Sequence, residues 1–165
     1  MIGAGLLWDG VRTRRREHPM RPRNGRGWFA AAAIGSVGAA VVHLTVMPEH
    51  FDESALYGTF FLCAAIAQFA GAGLLVMRPT PALAWATVTG NAAIIALWLV
   101  TRLVAVPIGP GAGTTERFGA RDLIASGCEL ITLLACASWL ARRRRRIDVG
   151  GVDIAHPRLL PVGQQ

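Results

Sequence analysis

The side chains able to do chemistry in this chain sit one or two at a time inside long apolar runs. Glu129 is near the head of "SGCELITLLACASWLARRRRR", a run that ends in five consecutive arginines. A carboxylate is tolerable there if it pairs with Arg102 or stays protonated away from water. It would then accept a proton or a cation, with Arg102 as its partner or as a clamp on an anion. Asp122, seven residues before Glu129, is a second acid within reach of the same arginine.

Metal-ligand types gather in "HLTVMPEHFDES", His43 to Ser54: His43, Met47, His50 and Glu53. Imidazole with a thioether suits copper, and imidazole with carboxylate suits zinc or iron, so a transition metal is the cofactor this segment would take. The two histidines are two helical turns apart, about 10 Å, and share one ion only if Pro48 folds the chain back. Otherwise His43 is a hydrogen-bonded histidine at the mouth of the fold. A b-type haem would want a second intramembrane histidine. GxSxG, a phosphate-binding glycine loop and HExxH are all missing, which argues against an enzyme. "GPGAG", Gly109 to Gly113, reads as turn chemistry.

The elements that must position these groups are four apolar segments, Trp28 to Met47, Ala55 to Met77, Ala82 to Val104 and Leu123 to Ala141. Each approaches the roughly 20 residues an α-helix needs to cross about 30 Å of hydrocarbon. Pro48, "RPTP" and "PIGPGAGTT" punctuate them. With 53% hydrophobic and 16% charged residues and a mean hydropathy of +0.42, the chain is too poor in charge for a soluble domain. The fold class expected is all-α, an integral membrane four-helix bundle over residues 27–141, between basic arms at 1–26 and 142–165.

At 100° per residue, positions seven or eleven apart share a helix face. Ser36, His43 and His50 form one such row. Tyr57 and Gln68 form a second, Asn91, Trp98 and Arg102 a third, and Asp122, Glu129 and Cys136 a fourth, with Ser126 alongside. An acid or arginine facing lipid costs about 2.5 to 3.5 kcal/mol even on a lenient scale, so the four rows should face one another. They would form an outward-facing polar funnel narrowing to Glu129, Gln68 and Asn91. Two blander readings compete: Arg102 and its acids as an ion pair that only sets packing register, and Gln68 and Asn91 as hydrogen-bonding glue. Ala31, Gly35 and Ala39 read as small residues allowing close helix contact.

All seventeen basic residues are arginine, a composition of GC-rich bacterial genomes. Fourteen fall on one side of the four crossings and only Arg102, Arg117 and Arg121 on the other. The positive-inside rule then puts both termini in the cytoplasm of a bacterial plasma membrane. The net charge of +7 is therefore assigned to orientation and anionic lipid headgroups, and nucleic acid is excluded as a partner. The first segment is too long for a signal-peptide core and lacks a convincing cleavage site, so it reads as an uncleaved anchor. Cys63, Cys128 and Cys136 have no metal or disulfide spacing and read as buried packing residues.

The stretch "TRLVAVPIGPGAGTTERFGARD" resembles a loop of small, uncharacterised four-helix membrane proteins of bacteria, especially actinobacteria. The resemblance rests on Arg102, Pro107, Gly109, Pro110, Glu116, Gly119, Asp122 and Glu129, with His43, "YGTFFL" and Gln68 upstream. Ala105 and Val106 depart from the pattern, which has a glycine before the proline. The resemblance covers the crossings and not the arms, and implies no reaction.

Three functions remain open on sequence grounds. The favoured one is binding or translocation of a small ligand or ion by Glu129, Arg102, His43, Asn91, Gln68, Asp122 and Tyr57. The second is an accessory subunit, in a homo-oligomer or membrane complex, whose polar rows only specify packing. The third and weakest is a metal-dependent redox protein using His43, His50, Met47 and Glu53.

Overall fold

The computed structural model describes residues 25–107 and 112–152. Both basic arms beyond those limits, and the Gly109–Pro110 turn of the loop, lie outside the described residues. The described chain is all-helical: α1 (Arg26–Glu53), α2 (Ala55–Met77), α3 (Pro81–Leu103) and α4 (Ala120–Val152). All four are long and apolar enough to span a membrane.

Two boundaries differ from the sequence expectation. Pro48 does not end α1, which runs on to Glu53. Proline removes only the N–H that would serve the Leu44 carbonyl, and local side chains help the last turns hold. His50 Nδ1 lies 2.8 Å from the Val46 carbonyl, and the Phe51 ring fills the space over Gly58 at the start of α2, where a Cβ would be 2.1 Å from it. Ser54 is a one-residue joint: its N–H donates to His50 O at 2.9 Å, and its hydroxyl accepts from Leu56 N at 3.3 Å as the α2 cap. The second difference is α4, which continues past Ala141 through all five arginines to Val152. Arginine is a good helix former, and a helix can carry it outside an apolar layer as easily as within a tail.

α2 and α3 are joined by a short connection, with Thr80 capping Leu83 N at 3.1 Å and Pro81 in the first helical turn, where its missing N–H costs nothing. The α3–α4 connection is longer. It is pinned by Glu116 N donating to Thr101 O at 3.1 Å and by a turn at Gly113, whose φ of +82° suits glycine.

Around the bundle the order is α2, α1, α4, α3; α2 and α3 hardly meet. α1 and α4 approach closely through Gly35, where an added Cβ would lie 2.6 Å from Thr132 Oγ1 and 2.7 Å from the Cys128 carbonyl. Thr132 Oγ1 shares its proton between the Cys128 carbonyl of its own helix at 2.9 Å and, across the interface, Ala32 O at 3.2 Å. Ala39, in the same small-residue row, is wholly buried. One end of the bundle is a solid core of Phe29, Ala32, Leu75, Ala84, Ala135, Cys136 and Leu140. Beside it, Arg142, Arg143 and Arg144 lie over the rings of Trp28, Trp139 and Trp85, at 5.0, 5.7 and 5.4 Å. The outer surface is apolar, with Ile34, Ile66, Leu103, Leu123, Ile131 and Leu134 all more than half exposed. Cys63 also lies on this surface, so of the three cysteines only Cys136 is a fully buried packing residue.

Candidate functional site

At the end opposite the core, the four helices part around a cavity of about 380 Å³. Its size falls in the range of small-molecule sites, roughly 300–1,000 Å³. Leu56, Tyr57, Phe60 and Phe61 of α2 and Ile94, Leu97 and Trp98 of α3 supply mostly apolar walls. His43 and Glu129 lie at its depth, and Arg102, Glu116, Arg121 and Asp122 stand around its rim.

The deep end is built from three helices. His43 Nε2 of α1 is 2.9 Å from Glu129 Oε1 of α4, and Gln68 Nε2 of α2 donates to the same oxygen at 3.1 Å. Ser36 in turn donates from Oγ to the Gln68 carbonyl at 2.8 Å. His43 is 3% exposed and Glu129 1%, so neither reaches bulk water. The Phe61 ring lies against both histidines, 5.4 Å from His43 and 4.1 Å from His50.

Of the two acids expected within reach of Arg102, the structure pairs it with Asp122 and not with Glu129. Glu129 is met by His43 and Gln68, whereas Arg102 bonds to Asp122 Oδ2 from Nη2 at 2.6 Å, and to Glu116 and Thr101 from Nη1. The reason is axial position. Because α1 reaches Glu53, His43 lies ten residues, about 15 Å, below the end of its helix; Glu129 lies nine residues, about 13.5 Å, below the end of its own. The two are level, and Arg102, one residue from the end of α3, sits well above them. His43 is accordingly buried inside the bundle, not placed at its mouth.

The other expected residues divide. Tyr57 and Asp122 line the cavity, and Asp122 Oδ2 also accepts from Gly119 N at 3.1 Å at the start of α4. Asn91 is buried but does not join the Glu129 group: its Nδ2 donates to Thr87 O at 2.8 Å, and its Oδ1 has no partner among the described residues. The expected funnel thus closes on His43 and Glu129, with Gln68 behind them and Asn91 apart. His43, Met47, His50 and Glu53 are not drawn together either, since α1 stays helical through Pro48; His43 turns to Glu129, His50 to Val46 O, and Glu53 is exposed. No group of three His, Cys, Asp or Glu side chains able to hold a metal occurs among the described residues.

Two features escaped the sequence reading. Glu116 is a second carboxylate on Arg102, and the buried indole Nε1 of Trp98, whose ring packs edge-to-face with Phe118, has no hydrogen-bond partner among the described residues. Trp98 shared a helix face with Asn91 and Arg102, a signal that marked it as inward without giving it a role. At the rim, Arg121 grips Glu49 with two bonds of 2.9 and 2.7 Å. Both are more than half exposed, so the pair ties α1 to α4 only weakly. No protein-family model matches the chain, and comparisons with curated proteins and with solved structures gave no match.

Proposed function

We propose that this is a multi-pass protein of a bacterial plasma membrane that binds a small molecule in the cavity between its four helices. The observation that carries the reading is a cavity with aromatic and aliphatic walls whose closed end holds a buried histidine–glutamate pair. Apolar walls supply affinity, and a few fixed polar groups supply orientation, the usual division of labour in ligand sites. Both termini lie in the cytoplasm and the cavity faces outward, because among the described residues Arg78 and Arg142 to Arg146 stand at the core end and only Arg102, Arg117 and Arg121 at the cavity end.

Binding is favoured over translocation by what lies beyond the polar group. There Ala32, Leu75 and Cys136 are packed to full burial, and the buried Thr132 spends its hydroxyl on the Cys128 and Ala32 carbonyls. The test is photolabelling of the full chain in lipid nanodiscs with a decyl-chain diazirine, followed by mapping of adducts. Concentration of label on Phe60, Phe61 and Ile94, with little on outward-facing Ile34 and Ile66, is the expected result. Label spread evenly over the apolar surface would refute a binding cavity.

A second reading has an observation of its own. Ser36, Gln68, His43 and Glu129 are hydrogen-bonded to one another, as polar groups are when they only specify helix packing, although Gln68 Oε1 has no partner among the described residues. In that accessory-subunit reading, replacing the pair with apolar residues would leave assembly and labelling unchanged.

A further inference from the structure

Among the described side chains, the end of the bundle opposite the cavity carries charge of one sign only. Arg26 at the head of α1, Arg78 after α2 and Arg142 to Arg146 in α4 are all exposed there. The described acids, Glu49, Asp52, Glu53, Glu116, Asp122 and Glu129, belong to the cavity end or its depth. Among the described residues no ion pair or side-chain hydrogen bond engages any guanidinium of the core end. Arginines three and four apart on one helix repel, so a counter-charge from outside the bundle belongs here.

Rings from three helices hold three of these arginines in place. Arg142 lies 5.0 Å from the centre of the Trp28 ring of α1, Arg143 5.7 Å from Trp139 of α4 itself, and Arg144 5.4 Å from Trp85 of α3. A ring offers a guanidinium its π face and takes none of its N–H groups as an ordinary acceptor would, so the donors of all three remain unspent. The backbone adds to the same field. Gly25 gives the first turn of α1 no side-chain cap, and neither α1 nor α3 begins with an acid, so the positive ends of both helix dipoles stand beside the arginines.

Arginine's planar fork matches the oxygens of a phosphate, and a fork already held against a ring loses less freedom on binding one. Depth identifies what carries the phosphate. Tryptophan marks the boundary between hydrocarbon and water, the level of lipid phosphates. Beside the cluster, Val76, Met77 and Trp85 expose apolar surface that a lipid's acyl chains would cover and a soluble anion would not. From these observations, and resting on the membrane part of the reading above but not on its cavity, we infer that Arg142, Arg143 and Arg144 form a headgroup site for an anionic phospholipid. This is narrower than the diffuse attraction of a basic tail, because it depends on the guanidinium fork and the rings and not on net charge alone.

The test counts, by native mass spectrometry, the lipid that the full chain keeps when released into detergent from phosphatidylcholine nanodiscs of increasing phosphatidylglycerol content. Phosphatidylglycerol should be retained in preference to phosphatidylcholine. Arg142→Lys/Arg143→Lys/Arg144→Lys keeps every charge and removes the forks, and should raise the half-saturating phosphatidylglycerol fraction about ten-fold, the equivalent of one charge-assisted hydrogen bond. Trp85→Leu, at an exposed position, removes one ring with the charges untouched and should raise it about three-fold. Equal retention by the lysine variant would reduce the cluster to diffuse charge and overturn the inference, as would equal retention of the two lipids. Displacement of phosphatidylglycerol by inorganic phosphate or by an RNA oligonucleotide would also overturn it, in favour of a soluble partner. Failure of the folded protein to enter nanodiscs or to float with liposomes would overturn the membrane reading as well.

Discussion

His43 Nε2 and Glu129 Oε1 meet at 2.9 Å with both side chains almost completely buried, joining α1 to α4 at a depth where neither residue has water to fall back on. Each is acceptable in the apolar interior because of the other. Removing one partner leaves a desolvated polar or charged group, which is more costly than the pair is worth.

His43→Leu should therefore destabilise the bundle by about 3–5 kcal/mol, the scale seen when a buried pair loses one member. His43→Leu/Glu129→Leu should recover at least ~2 kcal/mol of that loss, since an apolar pair of similar volume is tolerated better than an orphaned carboxylate. Full recovery is not expected, because Gln68 Nε2 loses its acceptor. Thermal unfolding in detergent, read as a double-mutant cycle, measures both. If the double variant is no more stable than the single, the two side chains are not coupled.

Arg102→Gln carries a different expectation. Arg102 holds Glu116 from the α3–α4 connection and Asp122 from the first turn of α4. Without the guanidinium, two carboxylates share one rim and the connection loses its anchor. Residues 112–119 should exchange backbone hydrogen at least ten-fold faster, while the core around Leu75 and Cys136 keeps its protection. Uniform acceleration over the whole chain would mean that Arg102 supports the entire fold rather than this rim.

How far these features were legible depends on range. The four helices and their inward faces follow from local periodicity, which is why Ser36, His43, Gln68, Asn91 and Glu129 are all buried. The partner of Glu129 was not legible, because it depends on where α1 ends. With Pro48 as the terminus, His43 falls near the surface; with Glu53 as the terminus, it drops level with Glu129. Glu116 reaches Arg102 through the course of a connection that no periodicity describes. That Trp98 Nε1 and Arg102 Nε have no acceptor among the described residues is legible only from the placed neighbours.

Gly35→Ala tests the closest helix approach. A Cβ there would stand 2.6 Å from Thr132 Oγ1 and 2.7 Å from the Cys128 carbonyl, and the second of these is backbone and has little room to give. Overpacking of this kind typically costs about 1–3 kcal/mol. By contrast, Gly71→Ala, where nothing lies within 4 Å, should be neutral or slightly stabilising. Equal melting temperatures for the two variants would show that α1 and α4 are free to separate.

Orientation is open to direct measurement through two of the three inter-helix connections, which lie at opposite ends of the bundle. Pro79, in the α2–α3 hairpin, is at the end where Arg142 to Arg144 lie on Trp28, Trp139 and Trp85. Thr115, in the α3–α4 connection, is at the cavity end, and both positions are exposed. With Cys63, Cys128 and Cys136 replaced by alanine, a membrane-impermeant maleimide applied to intact cells should label Thr115→Cys and spare Pro79→Cys until the cells are permeabilised. The arginine distribution forces this expectation, because turning the protein over would carry the larger basic cluster to the outer face against the positive-inside rule. Labelling of Pro79→Cys alone in intact cells would invert the orientation and make the cavity accessible from the cytoplasmic side.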